Sequence, residues 1–275
     1  MKSLTHYIQE KLIIKKSSNY KYFPETKEEL QDIIKQRIKE EGDKVDLNDI
    51  DVSNITDMSS LFEGTNFNGD ISNWDVSNVT NMRSMFYGCE KFNSDISKWD
   101  VSNVNNMREM FWRCSKFNSN ISKWDVSNAT NMEGMFYMCE SFNQDISNWD
   151  VSNVTDMRCM FCECSKFNQD ISNWDVSNVK DMSLVFAHCK KFNQDIYNWN
   201  VSNVTNMNSM FFNCENFNQD ISNWNVSNIT DMQSMFFGCS KFNQDISAWD
   251  VSNVRNYKSV FDYCTIEEKY KPKFK

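Results

Sequence analysis

WDVSNVTNMRSMFYGCEKFNSDISK, running from Trp74 to Lys98, is a phrase that returns seven more times further along the chain. Its tryptophans are Trp74, Trp99, Trp124, Trp149, Trp174, Trp199, Trp224 and Trp249, and every step is 25 residues. A looser copy at Asp46–Asn54 precedes them and makes nine; its link through Phe67 is one residue shorter than the later ones. A fixed period in this range means that each copy is one supersecondary unit, which buries its apolar face only against its neighbours. The chain is therefore expected to be a solenoid, and function becomes a question of which faces of the stack are free.

Within one copy, Trp74, Val76 and Asn78 share one parity while Asp75 and Ser77 take the other, which predicts a short strand with one buried face. The period then changes: Met82, Met85, Phe86 and Cys89 stand at i, i+3, i+4 and i+7, which predicts a two-turn helix capped by Asn78 or Thr80. Phe92 and Ile96 lead back to the next strand. Strand, helix and return in 25 residues is the dimension of a leucine-rich-repeat coil. With six leucines in the whole chain, Met, Phe, Trp and Ile would fill the leucine positions. The fold class expected is an α/β leucine-rich-repeat solenoid of nine coils with an N-terminal helical cap.

The invariant polar positions have structural readings. Val-Ser-Asn ends every copy of the strand, from Asn54 to Asn253, and Phe-Asn marks every link, from Phe67 to Asn243. A column of asparagines can satisfy backbone groups that turn away from a sheet. Eight indoles in register are read as core, since they would otherwise form a large exposed apolar stripe. The outward column Asp75, Asp100, Asp125, Asp150, Asp175 and Asp250 is read as structural, with loose cation binding as its rival.

Aromatic content of 14% and hydrophobic content of 40% suffice for a continuous core. The net charge is −9; residues 1–45 and 265–275 each carry a small positive excess, leaving about −13 on the repeats. An acidic stack repels nucleic acid and anionic lipid, so a protein partner is expected and neither nucleic acid nor membrane insertion is. No stretch approaches 18 apolar residues. Glu10 and Lys11 interrupt any hydrophobic region near Met1, and the chain as written reads as intracellular, without signal peptide or lipid anchor.

Four segments follow: residues 1–20 as an amphipathic helix and linker, 21–45 as a helical cap, 46–264 as the solenoid, and 265–275 as a charged tail expected to fray. Thr26-Lys-Glu-Glu29 matches a capping box, with Leu30, Ile33, Ile34 and Ile38 on one face of the following helix and Gly42 ending it. Leu4, Tyr7, Ile8 and Leu12 mark the earlier helix, read as cap or as docking handle.

Eight of the ten cysteines, Cys89, Cys114, Cys139, Cys164, Cys189, Cys214, Cys239 and Cys264, occupy the same inward position. Packed helices lie about 8–10 Å apart, too far for a disulfide, so the column is expected to be buried free thiols. Cys159, Cys162 and Cys164 are dense enough to consider zinc, but Cys164 should point inward with its column; no metal or cofactor is expected. His6 and His188 belong to no recurring phrase, and no nucleophile, base or phosphate-loop arrangement stands out, so no enzymatic activity is expected.

The variable outer column reads Tyr87, Trp112, Tyr137, Cys162, Ala187, Phe212, Phe237 and Asp262. Its aromatics, Tyr87, Trp112, Tyr137, Phe212 and Phe237, are either inter-coil packing or anchors for a partner, because aromatics dominate interface hot spots. They are the candidate binding residues.

The phrases Phe142–Met157 (FNQDISNWDVSNVTDM) and Met235–Cys239 (MFFGC) resemble the 25-residue repeats of BspA-like leucine-rich-repeat proteins. The resemblance covers residues 46–264. It implies a right-handed α/β solenoid without a catalytic motif and, for some members, surface display and adhesion to host proteins. The function expected is a non-enzymatic protein-binding scaffold; the alternative is a structural or assembly component docked through Met1–Lys16.

Overall fold

The computed structural model describes residues 20–275, so the expected helix and docking handle within residues 1–16 lie outside the described residues. The nine copies stack in register. Parallel bridges run Asp57, Asn81, Asn106, Asn131, Asp156, Asp181, Asn206, Asp231 and Asn256, each paired with the next. The molecule is a repeat solenoid, and its core is a set of columns. The eight column tryptophans are 3–6% exposed, and Met82, Met85, Phe86, Cys89, Phe92 and Ile96 with most of their counterparts are fully buried. Rings stack along the axis: Trp74 and Trp99 centroids lie 6.4 Å apart at 3°, Phe86 and Phe111 5.6 Å apart at 1°.

The expected strand-plus-helix coil is corrected. No copy contains a regular helix or strand, only isolated bridging residues. At the expected strand, the Asp75 carboxylate accepts from both the backbone N–H (3.1 Å) and the hydroxyl (2.6 Å) of Ser77, closing an Asx turn. Asn78 is consequently exposed rather than buried, and Val79 takes the inward place.

At the expected helix, Phe86 N–H does not bond back to Met82; it crosses to Met110 O in the next coil (2.9 Å). Met82, Ser84 and Gly88 likewise donate to Asn106, Arg108 and Trp112, at 2.7–2.9 Å. The intervening residues close four-residue turns, Met85 to Met82, Tyr87 to Ser84 and Cys89 to Phe86. Ser84 and Gly88 have φ of 54° and 72°, as the third residue of a type II turn requires. The same two places hold left-handed residues in every copy, including Glu109, Met138, Cys159 and Leu184. Met82, Met85, Phe86 and Cys89 still face inward, because i+3 turns and an α-helix return to one side at nearly the same spacing.

Asparagine and tryptophan complete the ladder. Asn78 Nδ2 donates to Ser53 O, 2.8 Å away, and the equivalents repeat to Asn253. In the links, Asn143 N–H donates to Asn118 Oδ1 and Asn143 Oδ1 accepts from Asn168 N–H, both at 2.8 Å. Trp99 Nε1 donates to Ile71 O at 3.1 Å, and its column mates do the same. Asn143→Ala is expected to cost about 1–3 kcal/mol, because it strands the Asn168 N–H. Asn143→Asp keeps the acceptor and should cost clearly less. Equal losses in urea unfolding would mean the column does no hydrogen-bonding work.

The eight column thiols are free and seven of them are buried, Cys264 at the last coil being half-buried, but helix spacing is not what keeps them apart. Coils here stack at ring spacings near 6 Å, not at helix spacing. What keeps the thiols apart is direction: Cys114 Sγ donates to Phe86 O (3.0 Å) and Cys139 Sγ to Phe111 O (3.0 Å). Side chains repeated in register point in parallel, and Cβ vectors that do not converge cannot be bridged.

Helix α1 (Lys27–Glu41) covers the first coil. Thr26 Oγ1 caps it by accepting from Glu29 N–H, Gly42 ends it at φ 89°, and Leu30 and Ile34 are buried beneath it. Arg37, not singled out from the sequence, locks the cap in place. It bonds Glu41, Asp49 Oδ1 (2.8 Å) and Asp46 O (3.0 Å), and lies 5.3 Å from the Tyr22 ring centre. The segment 265–275 is laid over the last coil rather than frayed. Ile266 is buried, Ile246 N–H donates to Tyr270 O (3.0 Å), and Phe274 stacks 4.7 Å from Tyr257. No helix among the described residues is long and apolar enough to cross a membrane.

Candidate functional site

The five candidate aromatics share a repeat position but form two groups. Each is the residue just before the second left-handed residue of its turn ribbon, so its side chain leans outward at the edge of the buried stripe. Tyr87 and Trp112 stack at 5.8 Å and 7°, and Trp112 and Tyr137 at 3.8 Å and 12°. Phe212 and Phe237 stack at 4.8 Å, with His188 at 5.2 Å from Phe212 and Tyr263 edge-on at 5.0 Å from Phe237. Cys162 and Ala187, both buried, separate the two groups. All five aromatics are half-buried: they pack between coils and also present an edge to solvent.

The first group carries the stronger chemistry. Trp112 Nε1 is buried and has no hydrogen-bond partner, the one such side-chain nitrogen or oxygen among the described residues. The core tryptophans all donate to carbonyls; Trp112 does not. It is seated over Gly134, whose φ is 58° and where a Cβ would stand 2.7 Å from the indole ring. Burial, first, and the neighbouring Cys162 and Glu163 hold the Tyr137 hydroxyl above its ordinary pKa.

Beside the rings lies an ion network that sequence reading missed. Arg108 bonds Glu109 (3.0 Å) and Glu133 (3.2 Å), and Arg158 bonds Glu133 (3.0 Å) and Asp156 (2.8 Å). A signal was present: Arg83, Arg108 and Arg158 occupy one repeat position. On the other flank, Glu90, Arg113, Ser115, Met138 and Glu140 line a cleft of about 340 Å³. The arrangement offers planar apolar edges and charges of both signs, the composition of an interface core with a polar rim.

Of the three dense cysteines, Cys164 turns inward and donates to Phe136 O (2.9 Å), Cys162 is 5% exposed and Cys159 is half-exposed. Burial pushes the Cys159 thiol up to about 11. A thiol so shifted is protonated at neutral pH and unsuited to nucleophilic work.

Among solved structures, a leucine-rich repeat protein from T. pallidum matches 40% of this chain and 59% of its own length, at 14% identity and a TM-score of 0.20. A leucine-rich repeat protein from Bacteroides ovatus matches 82% of both chains at 9% identity and a TM-score of 0.20. The functional domain of InlJ from Listeria monocytogenes matches 79% of this chain and 58% of its own, at 10% identity and a TM-score of 0.16. At such values the likeness assigns neither site nor partner. No curated protein matches. The family described as "Mycoplasma protein of unknown function, DUF285" matches three overlapping stretches, residues 29–145, 114–211 and 185–271. Spanning cap, repeats and most of the tail, that match shows that the chain belongs to this family.

Proposed function

We propose that the chain is a non-enzymatic protein-binding scaffold, which anchors its partner on the edges of Tyr87, Trp112 and Tyr137. The observation that carries this reading is the continuous stack of Tyr87, Trp112 and Tyr137, half-buried so that its ring edges reach solvent. A solenoid offers affinity spread over a long face, and aromatic anchors supply its hot spots. The BspA-like likeness of the repeats, with adhesion as the use made of such binding, belongs to the same proposal.

The test is affinity capture with the full chain and with a Tyr87→Ser, Trp112→Ser, Tyr137→Ser variant whose circular dichroism is unchanged. Loss of two or more anchors should weaken the captured complex by about a hundredfold. Phe212→Ser with Phe237→Ser is the control for general loosening of the stack. Unchanged capture by the triple variant, or equal loss in both variants, would sink the reading.

A further inference from the structure

The two ends of the ladder are treated differently. At the first coil, α1 lies across the ribbon, with Gln31 Nε2 donating to Ser60 O (3.4 Å) and Lys27 Nζ to Ser59 Oγ (2.5 Å). At the last coil, the tail meets the ribbon Tyr257–Tyr263 through side chains and its last carbonyl but bonds none of its outward N–H groups. Met232, Ser234, Phe236 and Gly238 each donate a backbone N–H to this ribbon, at 2.8–3.0 Å. The residues at the same places one coil on, Tyr257, Ser259, Phe261 and Tyr263, donate theirs to no acceptor among the described residues. The tail passes close by: Phe274 stacks on Tyr257, Lys271 Nζ lies 5.7 Å from the Phe261 ring centre, and Tyr257 Oη donates to Lys275 O. It supplies the row with no acceptor. Two of the three exposed large hydrophobic side chains among the described residues are also here, Tyr257 at 40% and Tyr263 at 80%.

The chemistry of this edge is one-sided. Because the ribbon is built of turns with left-handed residues at Ser259 and Tyr263, it aims its N–H groups axially outward and keeps its carbonyls for the coil behind. Runs of N–H groups aimed one way attract negative charge. An ordinary strand edge alternates donors with acceptors, so pairing with it would set N–H against N–H. An ionised carboxylate is acceptor-only, and its bonds to N–H groups are charge-assisted. The surroundings agree: Arg255, Lys258, Lys269, Lys271, Lys273 and Lys275 outnumber Asp262, Glu267 and Glu268, on a molecule whose repeats are strongly acidic.

We infer that the C-terminal edge of the ladder, Tyr257–Tyr263, is a docking surface for a carboxylate-rich segment of a partner protein. Side-chain carboxylates of that segment take the row of free N–H groups, Lys258 and Arg255 supply attraction, and the exposed tyrosines cover its apolar part. This surface is separate from the Tyr87–Tyr137 stack and does not depend on it.

The test uses the full chain with fluorescein-labelled octa-glutamate as probe and octa-glutamine as control. Octa-glutamate should bind and slow hydrogen exchange at the Tyr257, Ser259 and Tyr263 amides, while octa-glutamine does neither. Arg255→Glu with Lys258→Glu, both at exposed positions, should weaken octa-glutamate about tenfold or more. Tyr87→Ser should leave the affinity as it was, which separates this result from the fate of the ring-stack proposal. Equal binding of the two peptides, binding without amide protection, or full affinity in the charge-reversed variant would each overturn the inference. So would protection of the same amides by dimer formation without peptide, which would make a second copy the occupant.

Discussion

Raising the pH from 8 to 10 is expected to remove most of the stability of the solenoid. Seven thiols of the inner column, Cys89 through Cys239, are fully buried. Burial holds Cys89 up to about 11 and pushes Cys114, Cys139, Cys164, Cys189, Cys214 and Cys239 well above their ordinary value of 9.0. The folded state therefore binds these protons more tightly than the unfolded chain does. A raised pKa stabilises fully below the unfolded value, and the stabilisation is lost as pH climbs past it towards the folded one. Each thiol that ionises only on unfolding takes roughly 1.4 kcal/mol per pH unit.

Seven acting together amount to roughly 10 kcal/mol one unit above their ordinary value, which matches the entire net stability of an ordinary domain. Tyr137, raised by burial as well, pulls in the same direction. Urea midpoints at pH 8 and pH 10 decide it: a large fall is expected, and superimposable curves would mean the thiols are solvated. Cys139→Ala should flatten the alkaline dependence by one thiol's share while costing little at pH 7. On the acid side the sign reverses. Serine N–H and hydroxyl groups hold Asp95, Asp100, Asp145, Asp150 and Asp170 below their ordinary 3.8, so their smaller contribution is lost only as pH falls below that value.

Those buried columns were legible because a 25-residue period leaves no other place for an invariant Trp, Phe or Cys. The stack and the asparagine ladders followed from it, while the α1 cap was legible separately, in the Thr26–Glu29 capping box and Gly42. The backbone path did not. Met82, Met85, Phe86 and Cys89 satisfy an α-helix and a chain of i+3 turns equally, so inward spacing alone could not separate them. The discriminating residues were glycines: Gly64, Gly88, Gly134 and Gly238 fall at just two repeat positions, both at positive φ. Ser, Glu, Cys and Leu at the same positions in other copies masked that signal, since side chains there tolerate the left-handed region at some cost. The expected strand failed for a related reason, because Asp75 bonds Ser77 and bends what alternation read as straight. The aromatic column was legible as a variable outer column, but stacking is a three-dimensional property. The break at Cys162 and Ala187 is written in the sequence, but only the structure shows the rings on either side of it stacked and leaves Trp112 Nε1 without an acceptor.

Phe161→Ala should be far more damaging than Phe261→Ala, although the two residues occupy the same repeat position. Phe161 is fully buried and touches five rings: Phe167 at 4.2 Å, Phe136 at 5.7 Å, Phe186 at 5.8 Å, Trp174 at 6.1 Å and Phe142 at 6.4 Å. Its loss leaves a ring-sized cavity in mid-stack, for which about 3–5 kcal/mol is usual. Phe261 is half-buried and meets only Phe236 at 5.8 Å and Phe274 at 6.4 Å, so about 1–2 kcal/mol is expected, in proportion to the smaller area it covers. The shape of unfolding should differ too. In a one-dimensional stack each coil is stabilised by the coils on either side, so a weak interface in the middle divides one cooperative unit into two. Hydrogen exchange of Phe161→Ala should therefore show amides of the later coils opening independently of those near α1, while Phe261→Ala frays only the last coil. Equal midpoint shifts in the two variants, or uniform opening along the whole chain in both, would mean that coupling is long-range and the nearest-neighbour account of this stack is wrong.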